Sequence, residues 1–129
     1  MKKSEEAVKL HAEGCNCAQA VLLSYCDKYG MDRETAMRTA SGLGGGMRVG
    51  DVCGAVSGAV LVIGLKNGPS QPGDKEAKKL CNEKTAEFIK EFRERFGNYT
   101  CRELIKAAGG KICDTVIAGA AELLEEKGY

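Results

Sequence analysis

The sequence predicts an all-α protein, a compact single-domain bundle of about six or seven helices that spans residues 1–129 around one apolar central helix. Apolar residues recur at helical spacing along most of the chain, whereas the alternation typical of strands is nearly absent. Glycine, proline and capping residues divide this pattern into helix-sized pieces. A chain of 129 residues fits one domain and can bury a core without disulfides.

Three short helices are predicted in the first third of the chain. The first runs from about Ser4 to Glu13, and the second from about Asn16 to Lys28. Asp32 caps the third helix, which ends near Ser41. The segment Gly42–Gly50 is predicted to be a loop, because each glycine costs a helix about 1 kcal/mol relative to alanine.

The rest of the chain is predicted to hold the buried helix and three amphipathic ones. Asp51 is expected to cap the buried helix, whose sequence VCGAVSGAVLVIGLKNG is apolar on nearly all faces. After the loop Asn67–Gly73, a long helix follows from Asp74 to about Phe96. Its predicted apolar stripe consists of Ala77, Leu80, Cys81, Phe88, Ile89, Phe92 and Phe96. A Thr-x-x-Glu capping box at Thr100 opens a short helix, and the last helix runs from about Asp114 to Lys127.

The composition argues against nucleic acid or a membrane as a partner. The net charge is +1 with both signs interspersed, and the chain has no tryptophan on which bases could stack. The N-terminus lacks the apolar core of a secretory signal. The longest apolar run, Val52–Leu65, is shorter than the roughly 18 residues that span a bilayer. The sequence therefore predicts a cytoplasmic protein without membrane insertion.

Seven cysteines are the most unusual feature of the composition. In a reducing cytoplasm, so many thiols point to metal or redox chemistry before structural disulfides. Cys26 and Cys81 fall on apolar helix faces, where a free cysteine behaves as a small hydrophobic residue. These two are therefore interpreted as core residues.

Four cysteines are predicted to lie at or beside a helix N-terminus, and we call them the helix-start cysteines: Cys17, Cys53, Cys101 and Cys113. A helix N-terminus presents unpaired N–H groups and about half a positive charge. This field favours the thiolate and is expected to lower the cysteine pKa. Because the thiolate binds metals and attacks disulfides, the four side chains are candidates for one redox centre.

Other features of the sequence are less specific. Cys15 precedes Asn16-Cys17 and is a candidate fifth ligand, a resolving thiol or a turn residue. His11 lies on an apolar helix face, where packing is favoured over ligation. The glycines expected to let backbone approach a redox centre are Gly44, Gly45, Gly46 and Gly54. A plain turn explains the first three equally well. A phosphate-binding loop is disfavoured, because no strand is predicted before these glycines and no Gly-Lys-Ser/Thr sequence follows them.

The strings GCNCAQAVLLSY, SGLGGGMRVGDVCGAVSGAVLVIGLKNG and TCRELI, followed by Cys113, resemble the C_GCAxxG_C_C family of redox-active proteins. The resemblance runs from about Gly14 to Cys113, and its core is the CGAxxG motif at Cys53–Gly58. The four characteristic cysteines of the family fall on the helix-start cysteines. The family also resembles the iron–sulfur domain of split-Soret cytochromes, which implies an iron–sulfur cluster on the same thiols. The chain departs from those cytochromes because it has no C-x-x-C-H haem attachment site.

Three functions fit these observations. The first is a small redox protein whose four cysteines bind a 2Fe-2S or 4Fe-4S cluster and which exchanges electrons with a redox partner protein or senses redox state. The second is a metal-free thiol–disulfide protein that pairs Cys17 with Cys53 and Cys101 with Cys113. The third is a binding module with a structural zinc ion. The sequence leaves two roles open: the protein is either an enzyme, which would be an oxidoreductase, or an electron carrier.

Gly54 and Gly58 lie one turn apart on the apolar fourth helix. Small residues at this spacing let two helices approach closely, either within the chain or across a homodimer. We expect the homodimer.

Overall fold

The structure is a computed structural model that describes all 129 residues. It contains seven α-helices. The helices are Lys3–Ala12 (α1), Cys17–Cys26 (α2), Arg33–Thr39 (α3), Gly54–Asn67 (α4), Lys75–Phe96 (α5), Cys101–Ala108 (α6) and Cys113–Glu126 (α7). A 3₁₀ turn at Asp27–Tyr29 extends α2. The only β pairing is a bridge of one residue pair, Val52 with Thr100. The prediction of an all-α fold is confirmed.

Helices α2 and α4 together form the centre of the bundle. Helix α2 contacts α1, α3, α4 and α7, which leaves it no free face, and every one of its residues except Cys17 is buried. In α4, seven of the fourteen residues are buried. The sequence predicted α4 as the single central helix, whereas α2 shares this position. The buried polar side chain of Gln19 on α2 has a hydrogen-bond partner in the interior, because its amide donates to the Met37 carbonyl.

The α2–α4 contact depends on two glycines. A Cβ atom at Gly58 would lie 2.6 Å from the Ala18 carbonyl oxygen, and one at Gly54 would lie 2.9 Å from the Cβ of Cys17. The two backbones therefore approach each other directly, as the spacing of these glycines predicted, and the approach lies within the chain. It places the first turn of α2, with Cys17, against the first turn of α4.

Helix α5 is packed along only part of its length. Phe88 and Phe92 are buried, but Leu80 is 42% exposed, so the predicted apolar stripe is wrong at Leu80. The helix has 22 residues and is about 33 Å long, whereas the 14 residues of α4 cover about 21 Å. Because the end of α4 at Asn67 lies beside Lys84, the first turns of α5 extend past it. None of the helices combines the length and the apolarity that crossing a membrane requires.

Candidate functional site

The four helix-start cysteines line one cavity of about 350 Å³. The cavity lies where the N-terminal turns of α2, α4, α6 and α7 meet. Its apolar wall is formed by Leu104, Ile105, Ile112 and Val116. Its basic lining residues are His11, Arg48 and Lys111, and no carboxylate lines it. The fold therefore brings together four thiols that are up to 96 positions apart in the chain, between Cys17 and Cys113.

Cys17 is the first residue of α2 and is held by the cap that precedes it. The Asn16 side-chain oxygen accepts a hydrogen bond from the Gln19 backbone N–H at 2.8 Å. In return, the Asn16 backbone N–H donates to the Gln19 side chain at 2.9 Å, which completes the predicted capping box. The Asn16 amide also donates to the Ser41 carbonyl at 3.1 Å. The start of α2 is thereby fixed to the chain that follows α3.

A short backbone bridge places Cys53 beside Cys101. The Cys53 N–H donates to the Tyr99 carbonyl at 2.8 Å, and the Cys101 N–H donates to the Asp51 carbonyl at 2.7 Å. These two bonds flank the Val52–Thr100 pair and hold the segments before α4 and α6 antiparallel. A single residue pair leaves no periodic pattern in the sequence, so this bridge was not predicted.

Two predicted helix caps are wrong. Asp51 does not cap α4, because the helix begins at Gly54 and Cys53 occupies the N-cap position, two residues after Asp51. Asp114 does not cap α7, because the helix already begins at Cys113 and Ile112 is its N-cap. Both corrections leave the cysteines at the helix starts.

The predicted site-shaping glycines lie around the cavity. Gly45 and Gly54 line it directly. A Cβ at Gly44 would lie 2.7 Å from the Cβ of Asn16, so this glycine lets the loop rest on the start of α2. At Gly46 a Cβ would lie 2.4 Å from the Asp51 carbonyl oxygen. Gly44, Gly46 and Gly54 are therefore required by the close approach of their backbone to neighbouring groups, whereas a Cβ at Gly45 would meet only the Arg48 side chain.

The loop Gly45–Arg48 has an unusual backbone. All four residues adopt the left-handed conformation, with φ between 59° and 65°. The turn is closed by the Asp51 N–H, which donates to the Gly46 carbonyl at 2.9 Å. Met47 and Arg48 adopt this conformation although they carry side chains, which costs roughly 1–2 kcal/mol per residue. Arg48 is thereby placed at the wall of the cavity.

The electrostatics of the thiols differ from the sequence-based prediction. Burial raises the pKa of Cys17, Cys53 and Cys101, where lowered values were expected from the helix starts. The nearby thiol of Cys113 raises the pKa of Cys17 further, and so does that of Cys53. Backbone N–H groups in the first turn of α4 oppose the shift at Cys53 without outweighing it. The cavity thus disfavours several separate thiolate charges unless a cation or a sulfur–sulfur bond compensates them.

The remaining cysteines do not line the cavity. The Cys15 thiol lies 3.7 Å from the Met37 sulfur, and burial raises its pKa. Cys26 is buried within α2, and Cys81 is half-buried on α5. The structure therefore brings none of these three to the four thiols.

Two basic residues at the cavity were not predicted as site residues. His11, for which packing was favoured, lines the cavity, and its Nδ1–H donates to the Cys15 carbonyl at 2.8 Å because a carbonyl can only accept. Lys111 follows a pair of glycines and carried no sequence signal. Lys111 is two residues before Cys113 in the chain, but only the fold brings it and His11 to the cavity that all four thiols line.

The donor set fits a group bound by four thiolates. Thiolates are the soft ligands that suit zinc and iron–sulfur clusters. No three histidine, cysteine, aspartate or glutamate side chains are arranged to hold a single metal ion between them. The cavity of about 350 Å³ that the thiols line is larger than one ion occupies.

The family model described as "Putative redox-active protein (C_GCAxxG_C_C)" matches residues 15–127. The matched range includes all four helix-start cysteines and nearly the whole helical bundle. No curated protein and no solved structure matches the chain. The match confirms the resemblance that the sequence motifs indicated, and the chain belongs to the C_GCAxxG_C_C family of redox-active proteins.

Proposed function

We propose that the protein binds an iron–sulfur cluster on the four helix-start cysteines and uses it for electron transfer or redox sensing. The observation that carries the proposal is the meeting of four thiols in one cavity. The redox role is supported by the family to which the chain belongs. When bound, such a cluster supplies reversible one-electron chemistry. Four cysteine ligands suit both the two-iron and the four-iron form.

The surroundings of the thiols support this proposal. Leu104, Ile112 and Val116 form an apolar wall on one side of the thiols, and the solvent exposure of a cluster is one of the factors that set its potential. Burial raises the pKa of Cys53, and the backbone N–H groups in the first turn of α4 oppose this shift by favouring negative charge on its sulfur. Arg48 and Lys111 add positive charge without any carboxylate among the lining residues. These groups favour an anionic centre over four isolated thiolates.

Alanine substitution of each ligand tests the proposal. In anaerobically purified protein, Cys17→Ala, Cys53→Ala, Cys101→Ala and Cys113→Ala are each expected to lower the visible absorption of the cluster strongly. Cys81→Ala is the matched control, because Cys81 lies on α5 outside the cavity, and this variant should keep the absorption. Full absorption in all four ligand variants would rule the ligand set out.

A metal-free thiol–disulfide function is the second candidate. It is favoured by the shared cavity that the Cys17 and Cys113 thiols line, and after burial the charge of Cys113 is the next largest cause of the raised pKa of Cys17. In this function, two thiols reduce a disulfide of a partner to two thiols and themselves become a disulfide. Peptide mapping of oxidised, metal-free protein should then find disulfides among the helix-start cysteines. Full iron occupancy after anaerobic purification would count against this candidate.

A structural zinc ion, a cytoplasmic location and a homodimer stay predictions. Zinc analysis separates the first from the cluster, because zinc removal would unfold the protein without any redox change. The glycines that motivated the homodimer, Gly54 and Gly58, are packed on α2 of the same chain. Light scattering tests the homodimer, and a monomeric mass would contradict it.

A further inference from the structure

A shallow groove runs along the surface beside the cysteine cavity. It is formed by the loop Gly45–Gly50 and by one face of α6. The groove and the cavity share Arg48 and Cys101 among their lining residues. One of the four thiols therefore borders both spaces, and a molecule in the groove comes close to the proposed redox centre.

The groove is positively charged. Its charged lining residues are Arg48, Arg102 and Lys106. None of these three takes part in any of the nine ion pairs of the structure, and neither does Lys111 on the cavity wall. The nearest carboxylates along the chain, Asp51 and Glu103, do not line the groove. Four cations without a carboxylate partner therefore surround the approach to the thiols.

The loop also exposes two large apolar side chains beside these cations. Met47 is 54% exposed and Val49 is 64% exposed. The backbone around them is held in place, because Arg102 donates a hydrogen bond to the Val49 carbonyl at 3.0 Å. Strained left-handed residues such as Met47 and Arg48 cluster at binding sites in proteins. Methionine and arginine are also enriched at protein interfaces.

We propose that this cationic groove is the docking surface for an acidic electron-carrier protein. The inference rests on the proposed redox function and adds the chemistry of the partner. Opposite charges steer the two proteins together and orient them, while Met47 and Val49 supply apolar contact. One electron then passes between the proteins, so that one is oxidised as the other is reduced, and no covalent bond forms or breaks.

Binding of a recombinant flavodoxin, a small acidic one-electron carrier, tests the docking surface. Association is measured at low and at high ionic strength with cluster-loaded protein, and the electron-transfer rate is recorded separately. Lys106→Glu is the first variant, because the Lys106 side chain makes no ion pair in the structure. The double variant Arg102→Glu/Lys106→Glu extends the charge reversal. We expect each to lower the association rate, the double variant by about tenfold or more at low salt.

Lys78→Glu/Lys79→Glu is the matched control for the double variant. It changes the net charge equally, but both lysines are exposed on α5 and lie outside the groove. We expect it to lower the association rate by no more than about twofold, because its effect is limited to the overall charge. Circular dichroism and iron content confirm that every variant is folded and loaded.

The outcomes separate the docking surface from the proposed cluster. Absent flavodoxin binding at low salt, or equal loss in the control, overturns the docking surface and leaves the cluster standing. Ferricyanide, a small anionic oxidant, is compared with flavodoxin as the electron acceptor. If the groove variants change only the electron-transfer rate to ferricyanide, the groove attracts small anions and the protein partner is ruled out. If the protein takes up no cluster on reconstitution but still binds flavodoxin through the groove, the docking surface stands and the proposed cluster fails.

Discussion

At the scale of single residues, Asn16 shows how one side chain positions a cysteine. It caps α2 directly before Cys17, and its amide also donates to the Ser41 carbonyl. Asn16→Ala removes both interactions and is expected to lower the free energy of unfolding by about 1–2 kcal/mol. Asn16→Ser keeps a capping oxygen but is too short to replace the amide, so its loss should be smaller. Urea unfolding compares the three proteins, and wild-type stability of the alanine variant would contradict this role.

Gly58 and Gly64 make a second test within one helix. A methyl group at Gly58 would meet the Ala18 carbonyl at 2.6 Å, so Gly58→Ala must push α2 and α4 apart and is expected to cost about 1–3 kcal/mol. Nothing lies within 4 Å of a methyl group at Gly64, and its φ is not left-handed. Gly64→Ala should therefore stabilise the protein by up to about 1 kcal/mol through helix propensity. Thermal unfolding measures both changes, and equal effects would refute the close helix contact.

Local chemistry made the positions of the thiols predictable, but not their ionisation. Asn16 and Thr100 mark helix starts by hydrogen bonds within a few residues, and the structure has both caps. The pKa of Cys17 depends instead on burial and on Cys113, which is 96 positions away in the chain. The field of a helix start is a local property, whereas burial and neighbouring thiols are set by the fold. The predicted direction of the pKa shift was wrong for this reason.

At the scale of elements, the left-handed loop allows a direct test of strain. Met47 has a φ of 59° and a side chain that is 54% exposed, so Met47→Gly relieves strain and loses little packing. The relief of roughly 1–2 kcal/mol exceeds the roughly 0.5–1 kcal/mol by which glycine favours the unfolded chain. We therefore expect Met47→Gly to raise the free energy of unfolding by about 0.5–1 kcal/mol. Val49→Gly in the same loop, where φ is not left-handed, should lower it. Chemical unfolding of the two variants measures these changes in stability. Destabilisation by both substitutions would contradict backbone strain at Met47.

Elements that depend on local sequence were easier to predict than their contacts. All seven helices were expected close to their final places, because caps and glycines mark their ends. The bridge between Val52 and Thr100 was not, since it joins two distant segments through backbone atoms alone. The extension of α5 past α4 was missed as well, because the pattern at Leu80 does not show how long the neighbouring helix is.

At the scale of the whole molecule, ion pairs join α5 to the end of α7. Lys127 contacts Glu87 at 2.7 Å and also pairs with Glu91. The hydrogen bond from Lys127 lowers the pKa of Glu87. Burial alone would lower the pKa of Lys127, but its hydrogen bonds to the two glutamates outweigh this effect and raise it.

These directions predict the pH dependence of the contact. The stabilisation from Glu87 is present above its ordinary pKa and is lost as the pH falls through its lowered pKa. The stabilisation from Lys127 is present below its ordinary pKa and is lost as the pH rises through its raised pKa. Lys127→Met should therefore destabilise the protein at neutral pH and do so much less at strongly acid pH. Unfolding at both pH values measures the difference, and an equal loss at both would contradict the ion-pair contribution.

The arrangement of the whole bundle was the least predictable feature. Composition identified α4 as apolar, but the burial of α2 on every side follows from its contacts with four other helices. The groove on α6 beside Cys101 likewise arises from segments that are far apart in the sequence. The four thiols were recognisable because Asn16 and Thr100 cap the helices of Cys17 and Cys101, and because the family pattern also singles out Cys53 and Cys113, beside which the predicted caps were wrong.

The amount of iron and acid-labile sulfide in anaerobically purified protein, measured with its visible spectrum, tests the proposed cluster most directly. The four thiols around one cavity predict iron and sulfide in matched amounts and a colour that a reductant bleaches reversibly. A colourless protein that takes up neither iron nor sulfide on anaerobic reconstitution would contradict the cluster and leave thiol–disulfide exchange as the function to examine.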